Sequence, residues 1–257
     1  MTTRRQIRII HTSDTHLGDD WDPESAQRAL SAVVDGVHDQ RGDALLIAGD
    51  VFDNARISDA VLEFFVSEIR RAAVPTVILP GNHDLYDSAS LYHRSPFGNA
   101  PENLHIIRGT RGQTLTFPEL SLEVWGRAMD GHTPAFRPLA GMPSHRNRRW
   151  RVAMAHGHFH YPDDTEERSS PIRPHEIADA SCDYIALGHW ERFEEVSQSG
   201  VTAFYSGSPM GAATERGRVA VNVVDLFPHA SPVVVVSQVE MQMSHAFSAN
   251  LPIAADN

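Results

Sequence analysis

Apolar positions recur along this chain in two alternating periods. Short runs at Arg8–His11, Ala44–Ala48, Thr76–Leu79, Arg151–Ala155, Tyr184–Leu187 and Val201–Tyr205 have the length and content of β-strands. Between them, Glu24–Gln40 carries Ala26, Leu30, Val33, Val34 and Val37 at helical spacing. Ser58–Ala73 is a second predicted helix, with Val61, Leu62, Phe65 and Ile69 on one face, Ser58 as N-cap and Pro75 beyond its end. Strand followed by helix, repeated, predicts α/β layering. Leu104–Gly126 changes to short strands and turns, Gly131–Arg149 reads as a loop, and a polar loop runs from Pro162 to Ser170. Ile172–Ala180 is predicted helical, and Val219–Val224 with Pro232–Val239 is a predicted strand pair closing a second sheet. Beyond Glu240 the periodicity fades, so the expected organisation is one domain over 1–240 and a mobile tail over 241–257.

The chain has 257 residues, enough for one α/β domain with a substantial core. No apolar run reaches the roughly 20 residues of a membrane span. Arg4 and Arg5 are not followed by the apolar stretch of a signal peptide. Cys182 is the single cysteine, which rules out an internal disulfide and fits a reducing, cytoplasmic setting. The net charge of −11 opposes general electrostatic binding of nucleic acid, although bound cations would offset part of it. One segment is locally basic: Arg137, His145, Arg146, Arg148, Arg149 and Arg151 surround Trp150. It is either a solvated loop leading into a strand or a phosphate-contacting edge.

The chemistry gathers where apolar strands end. Ile7–Ile10 runs into Asp14 and His16, and Leu45–Ala48 into Gly49, Asp50 and Asp53. Val77–Leu79 runs into Gly81, Asn82, His83 and Asp84. Val152–Ala155 runs into His156 and His158, and Ile185–Leu187 into Gly188 and His189. Each cluster alone has an ordinary reading as a capped turn or a hydrogen-bonded histidine. Five together, all at strand ends where α/β sheets bind ligands, point to a metal site. Carboxylate, amide oxygen and imidazole suit Mn, Fe or Zn, and the lone cysteine excludes a thiolate site. A pair of ions about 3.5–4 Å apart is able to clamp a phosphoryl group.

These residues resemble the signature of the calcineurin-like metallophosphoesterase superfamily. The matching segments are Asp14-Thr15-His16, Gly49-Asp50-Val51-Phe52-Asp53, Gly81-Asn82-His83-Asp84, His156 and Gly188-His189. The SbcD-type DNA-repair nuclease branch is the most similar, through Asp14-Thr15-His16-Leu17-Gly18, Ala186-Leu187-Gly188-His189 and Tyr205-Ser206-Gly207-Ser208-Pro209. The resemblance implies an α/β four-layer fold, a two-sheet β-sandwich flanked by helices. It implies two divalent metal ions, Mn foremost, with Fe, Zn or Mg as alternatives. Asp14 and His16 would bind the first ion, Asp50 would bridge both, and Asn82, His156 and His189 would bind the second. His83 would be the catalytic histidine, oriented by Asp84.

Two departures qualify the match. The family has a second histidine two residues after His189, where this chain has Glu191. Glu191 is the expected replacement ligand at the first ion; a solvent-facing Glu191 paired with Arg192, or a substitute imidazole from His158, are the other two readings. Nucleases of the branch also carry a DNA-capping domain and a segment that docks an SbcC-type ATPase, and neither is expected here. The leading reading is a phosphodiesterase related to DNA exonucleases, with a phosphoester such as DNA as substrate. The alternatives are an enzyme of a nucleotide or other small metabolite, and a degenerate scaffold that only binds.

Overall fold

The computed structural model describes residues 4–19, 21–144, 148–166, 168–211 and 216–243. His145, Arg146 and most of the expected tail, 244–257, therefore lie outside the described residues. The first half alternates strand and helix: β1 (Ile7–Thr12), α1 (Pro23–Asp39), β2 (Ala44–Ala48), α2 (Asp59–Ala72), β3 (Thr76–Leu79), the single turn α3 (Ser95–Gly98) and β4 (Leu104–Ile106). Helix starts follow local chemistry. Ser25 N–H donates to the Asp22 side chain at 3.1 Å before α1, and Val61 N–H donates to Ser58 Oγ at 3.4 Å before α2. Strands β1 to β4 pair in parallel, so their carboxyl ends share one edge.

The second half builds another sheet from β5 (Gln113–Phe117), β6 (Leu122–Gly126), β7 (Trp150–His156), β10 (Tyr184–Gly188), β11 (Phe193–Glu195) and β12 (Thr202–Ser206). Its order is β11-β12-β10-β7-β6-β5, with β6, β7, β10 and β12 parallel. A small ladder, β8 (His158–Phe159) with β9 (Pro171–Ile172), and the short α4 (Pro174–Ala178) lie between β7 and β10 in the chain.

The predicted closing pair does form, as β13 (Arg218–Leu226) and β14 (Val234–Gln242), but it joins the first sheet, not the second. There β13 runs antiparallel to β1, with Ile7 opposite Leu226, giving the order β14-β13-β1-β2-β3-β4. Apolar content alone does not distinguish the two sheets, because both offer buried faces. The predicted helix over Ile172–Ala180 is also shorter than expected. Ile172 pairs with Phe159 in the small ladder, so the helix starts only at Pro174.

Strand faces sort into three cores. Ile10, Leu45, Ile47 and Ile78 face α1 and α2. Ile9, Leu46, Val77, Val152 and Ala186 fill the gap between the sheets. Ala153, Ile185 and Leu187 face the outer side of the second sheet, where Ile177 of α4 covers them. Burial on both faces explains why these strands read as unbroken apolar runs. The result is the expected two-sheet sandwich flanked by helices.

The basic segment sits away from the five clusters. Arg149 and Arg151 both pair with Glu123 at 3.2 Å, and Arg151 N–H donates to Asp183 at 2.9 Å. They flank the amino end of β7, whereas His156 is its last residue, ~20 Å along the strand. Trp150 there is fully buried between the sheets and its Nε1–H donates to Arg5 O at 2.7 Å. Trp150→Ala should cost about 3–5 kcal/mol of stability through the cavity it leaves, and Trp150→Phe clearly less. Urea unfolding checks this; an alanine variant as stable as the wild type would show that the intersheet core does not depend on the indole.

Candidate metal centre

The carboxyl ends of β1, β2 and β3 meet those of β7 and β10 across the gap between the sheets. Backbone hydrogen bonds tie the loops: Asp14 N–H to Gly49 O at 3.0 Å, and His16 N–H to Asp50 O at 3.1 Å. His189 N–H donates to the Asp14 carboxylate at 3.0 Å, joining the second sheet to the first. Asp14, His16, Asp50 and His189 all have left-handed backbones, with φ of 54°, 43°, 49° and 100°. Such non-glycine conformations cost of order 1–3 kcal/mol each and are retained where surrounding structure over-determines them. Two glycines make the approach possible. A Cβ on Gly49 would overlap the His156 ring, and one on Gly81 would overlap Asp50 Oδ1.

Donor atoms converge in two groups that share Asp50. One is Asp14, His16 and Asp50, the other Asp50, His156 and His189, with the atoms of each group within 4.8 Å of one another. Asn82 Oδ1 lies 3.0 Å from both His156 Nε2 and His189 Nδ1, and Asp50 Oδ2 lies 3.2 Å from His156 Nε2. The His156 Nδ1–H donates to Ala48 O at 2.9 Å, so in a neutral ring the lone pair is on Nε2, facing those oxygens. Lone pairs this close repel unless a proton or a cation lies among them. Spacings near 3 Å are also those between neighbouring ligands at bonds of about 2.1 Å. The donor set therefore fits divalent ions.

The protein groups alone leave a proton in that position. Burial disfavours charge on His156, but Asp50, which shares a hydrogen bond with it, and Asp14 outweigh burial and hold its pKa up at about 10. Burial likewise opposes the charge of Asp50, and the His156 cation and the His83 N–H outweigh it, keeping the carboxyl below the usual range. Burial raises Asp14, and burial with the His156 charge lowers His189 to about 3.

Asp84 and His83 are connected differently from expectation. Asp84 accepts from Gly81 N–H at 2.6 Å, Val51 N–H at 2.9 Å, Phe52 N–H at 3.3 Å and Tyr92 O–H at 2.6 Å. Its carboxylate thus locks the Asp50 and Asn82 loops together and makes no hydrogen bond to the His83 ring. Burial, then the Asp50 charge, push it up to about 6. The His83 ring is oriented by Asp53: Nδ1–H donates to the Asp53 carbonyl at 2.7 Å, and the Asp53 carboxylate is 3.6 Å away. Asp53 Oδ1 is also 3.3 Å from His16 Nδ1, and His16, Asp53 and His83 form a third converging group.

Glu191 is exposed on the rim of the same cavity, outside every converging group among the described residues. Arg192 pairs with Glu194 at 3.2 Å, and not with Glu191 as one reading had it. His158 Nδ1 accepts from the Trp190 indole at 3.1 Å, its ring lies 6.2 Å from that of His189, and it belongs to no converging group among the described residues. Two contributors stand in the matching sequence segments without a role assigned to them there. Asp53 closes Gly49-Asp50-Val51-Phe52-Asp53 as a strand-end carboxylate. Ser208, after β12, donates to Asp14 O at 2.6 Å and props the first loop.

This fold and donor set define a metal-dependent phosphoesterase. The chain belongs to the calcineurin-like phosphoesterase family, whose model matches residues 7–192. It is 26% identical over 263 aligned positions to the SbcD component of the SbcCD nuclease of Bacillus subtilis, covering 86% of this chain and 67% of that protein. Its match to the SbcD component of the Escherichia coli K12 nuclease is 33% identical over 126 residues, covering 42% of this chain and only 32% of the relative. A match to the DNA double-strand break repair protein Mre11 of Methanosarcina mazei is 33% identical over 115 residues, 38% of this chain and 18% of that one. Among solved structures, a dimetal phosphatase from Danio rerio superposes with a TM-score of 0.59 at 10% identity, covering 93% of this chain and 99% of its own, and shares the fold.

An ion binding at His156 Nε2 must displace the proton held there. Apparent affinity should therefore rise with pH, by about tenfold per unit below the His156 pKa. Calorimetry in buffers of different ionisation enthalpy should record close to one proton released per chain, or more, on Mn loading at neutral pH. Loading with no proton release would contradict the protonation described for His156.

Proposed function

We propose that this chain hydrolyses phosphodiester bonds at two divalent ions bridged by Asp50. The observation that carries the reading is that Asp50 alone belongs to both the Asp14–His16 group and the His156–His189 group. Asp14 and His16 would hold the first ion, and Asn82, His156 and His189 the second. Asp53 is the further carboxylate grouped with His16, and Glu191 would complete the first site only by swinging in from the rim. Mixed oxygen and nitrogen donors suit Mn, with Fe, Zn or Mg as alternatives. When bound, the ions supply Lewis-acid polarisation of the phosphoryl group and an activated water.

The chain's own groups do the rest. His83 is half-exposed to the cavity, its Nδ1–H anchored on Asp53 O, so Nε2 is free to hold or deliver a proton at the leaving oxygen. Asp84 fixes the backbone that presents Asn82 and His83. The relatives named as nucleases support a nucleic-acid diester as substrate. The acidic rim of Asp19, Asp22, Asp53 and Glu191 favours a second reading, a nucleotide-sized diester. A cytoplasmic site of action fits the single, buried Cys182. An ATPase partner is no part of this proposal.

With Mn, the protein should turn over bis-p-nitrophenyl phosphate faster than p-nitrophenyl phosphate. Asp50→Asn should abolish both, because a neutral amide does not supply the bridging charge. His83→Ala should keep its metal and lose about two to four orders of magnitude in kcat. A His83→Ala protein that loses metal but keeps its rate per loaded site would refute the role given to His83, and a preference for the monoester would refute the diesterase reading.

A further inference from the structure

The cavity over the metal centre has a volume of about 550 Å³, within the range of sites for nucleotide-sized ligands. One edge is Trp21, a residue 92% exposed although it lines the same cavity as Asp14, His16 and Asp50. An indole left this open forgoes the stabilisation that burying a large apolar surface provides. Trp21 is also pinned at its backbone. Its N–H donates to Asp19 Oδ1 at 2.8 Å, and the next residue, Asp22, caps α1 through Ser25 N–H at 3.1 Å, with Pro23 opening the helix. The backbone that carries the ring is therefore tied on both sides of Trp21, and Met210 lines the same cavity from the loop after β12.

The charge around this ring limits what it can receive. Among the described residues, no Lys or Arg lines the cavity, while Asp19, Asp22, Asp53 and Glu191 do. Phosphates flanking the scissile one would find no cation here, and the basic residues beside Trp150 lie at the other end of the strands. A flat ring surrounded by hydrogen-bond acceptors suits instead a planar group that carries N–H donors. Resting on the diesterase reading above, we propose that Trp21 is the stacking platform for an unpaired nucleobase next to the scissile phosphate. A base in duplex has both faces stacked and its pairing edge occupied, so the device selects single-stranded ends or free nucleotide diesters over duplex.

Base–aromatic stacking contributes about 1–3 kcal/mol, which is roughly 5- to 150-fold in affinity. Trp21→Ala and Trp21→Phe are compared with wild type on an oligothymidylate, on the same strand with abasic residues at both termini, and on thymidine 5′-p-nitrophenyl phosphate. The alanine variant should raise KM by such a factor on the base-carrying substrates, leave kcat near wild type, and lose nothing further on the abasic strand. The phenylalanine variant should retain most of the affinity. The base-carrying substrate that shows the loss identifies the source of the base, a strand or a free diester. Independently of turnover, thymidine 5′-monophosphate should quench tryptophan fluorescence in wild type and not in Trp21→Phe. Equal losses on intact and abasic strands, or no loss on any substrate, would overturn the proposal. Wild type inert toward bis-p-nitrophenyl phosphate would instead sink the diesterase reading, and the quenching would still report on stacking.

Discussion

Asp50 and His156 meet 3.2 Å apart in the gap between the two sheets, and much of the structure is arranged around that contact. It requires the carboxyl ends of β2 and β7 to face each other, which two stacked parallel arrays provide. It requires Gly49 and Gly81 to leave room, because a Cβ at either position would occupy the space of the His156 ring or the Asp50 carboxylate. It also requires the first-sheet loops to be held in left-handed turns, and the hydrogen bonds from Asp14, His16 and His189 backbones do this.

The electrostatic cost of this arrangement explains its purpose. Asp14, Asp50 and Asp84 are all buried near one another. Three buried carboxylates do not stay ionised together without compensation. The protein divides the burden: Asp84 takes two loops' backbone N–H groups and the Tyr92 hydroxyl, Asp50 takes His156, and Asp14 takes the His189 N–H. What remains is a set of lone pairs directed at the same small space, the environment in which a divalent cation replaces a proton.

The strand ends that carry the chemistry were legible in the sequence because buried parallel strands leave apolar runs with abrupt polar endings. Asp14, His16, Asp50, Asn82, His83, His156 and His189 all fall at such endings, and the folded chain brings all seven together. Tertiary pairing was less legible. β13 and β14 are apolar enough for either sheet, and only the β1–β13 register places them in the first. Ile172 fits a helix by composition, yet its ladder with Phe159 takes it into a strand. The resemblance implied that Asp84 orients His83, but the Asp84 carboxylate holds backbone N–H groups and the Tyr92 hydroxyl, and the carbonyl of Asp53 orients the ring. Glu191 has the reach of a ligand, but the loop after β10 leaves it on the rim. Trp21 stands in a polar stretch that gives no periodic signal, so its exposure at the cavity comes only from the fold.

Asp50 joins two candidate metal sites into one, and electron paramagnetic resonance of the protein titrated with Mn reads that junction. At two equivalents per chain the spectrum should be that of an exchange-coupled pair, and Asp50→Asn should lose the coupling. Two bound equivalents giving only the spectrum of isolated Mn ions would contradict it.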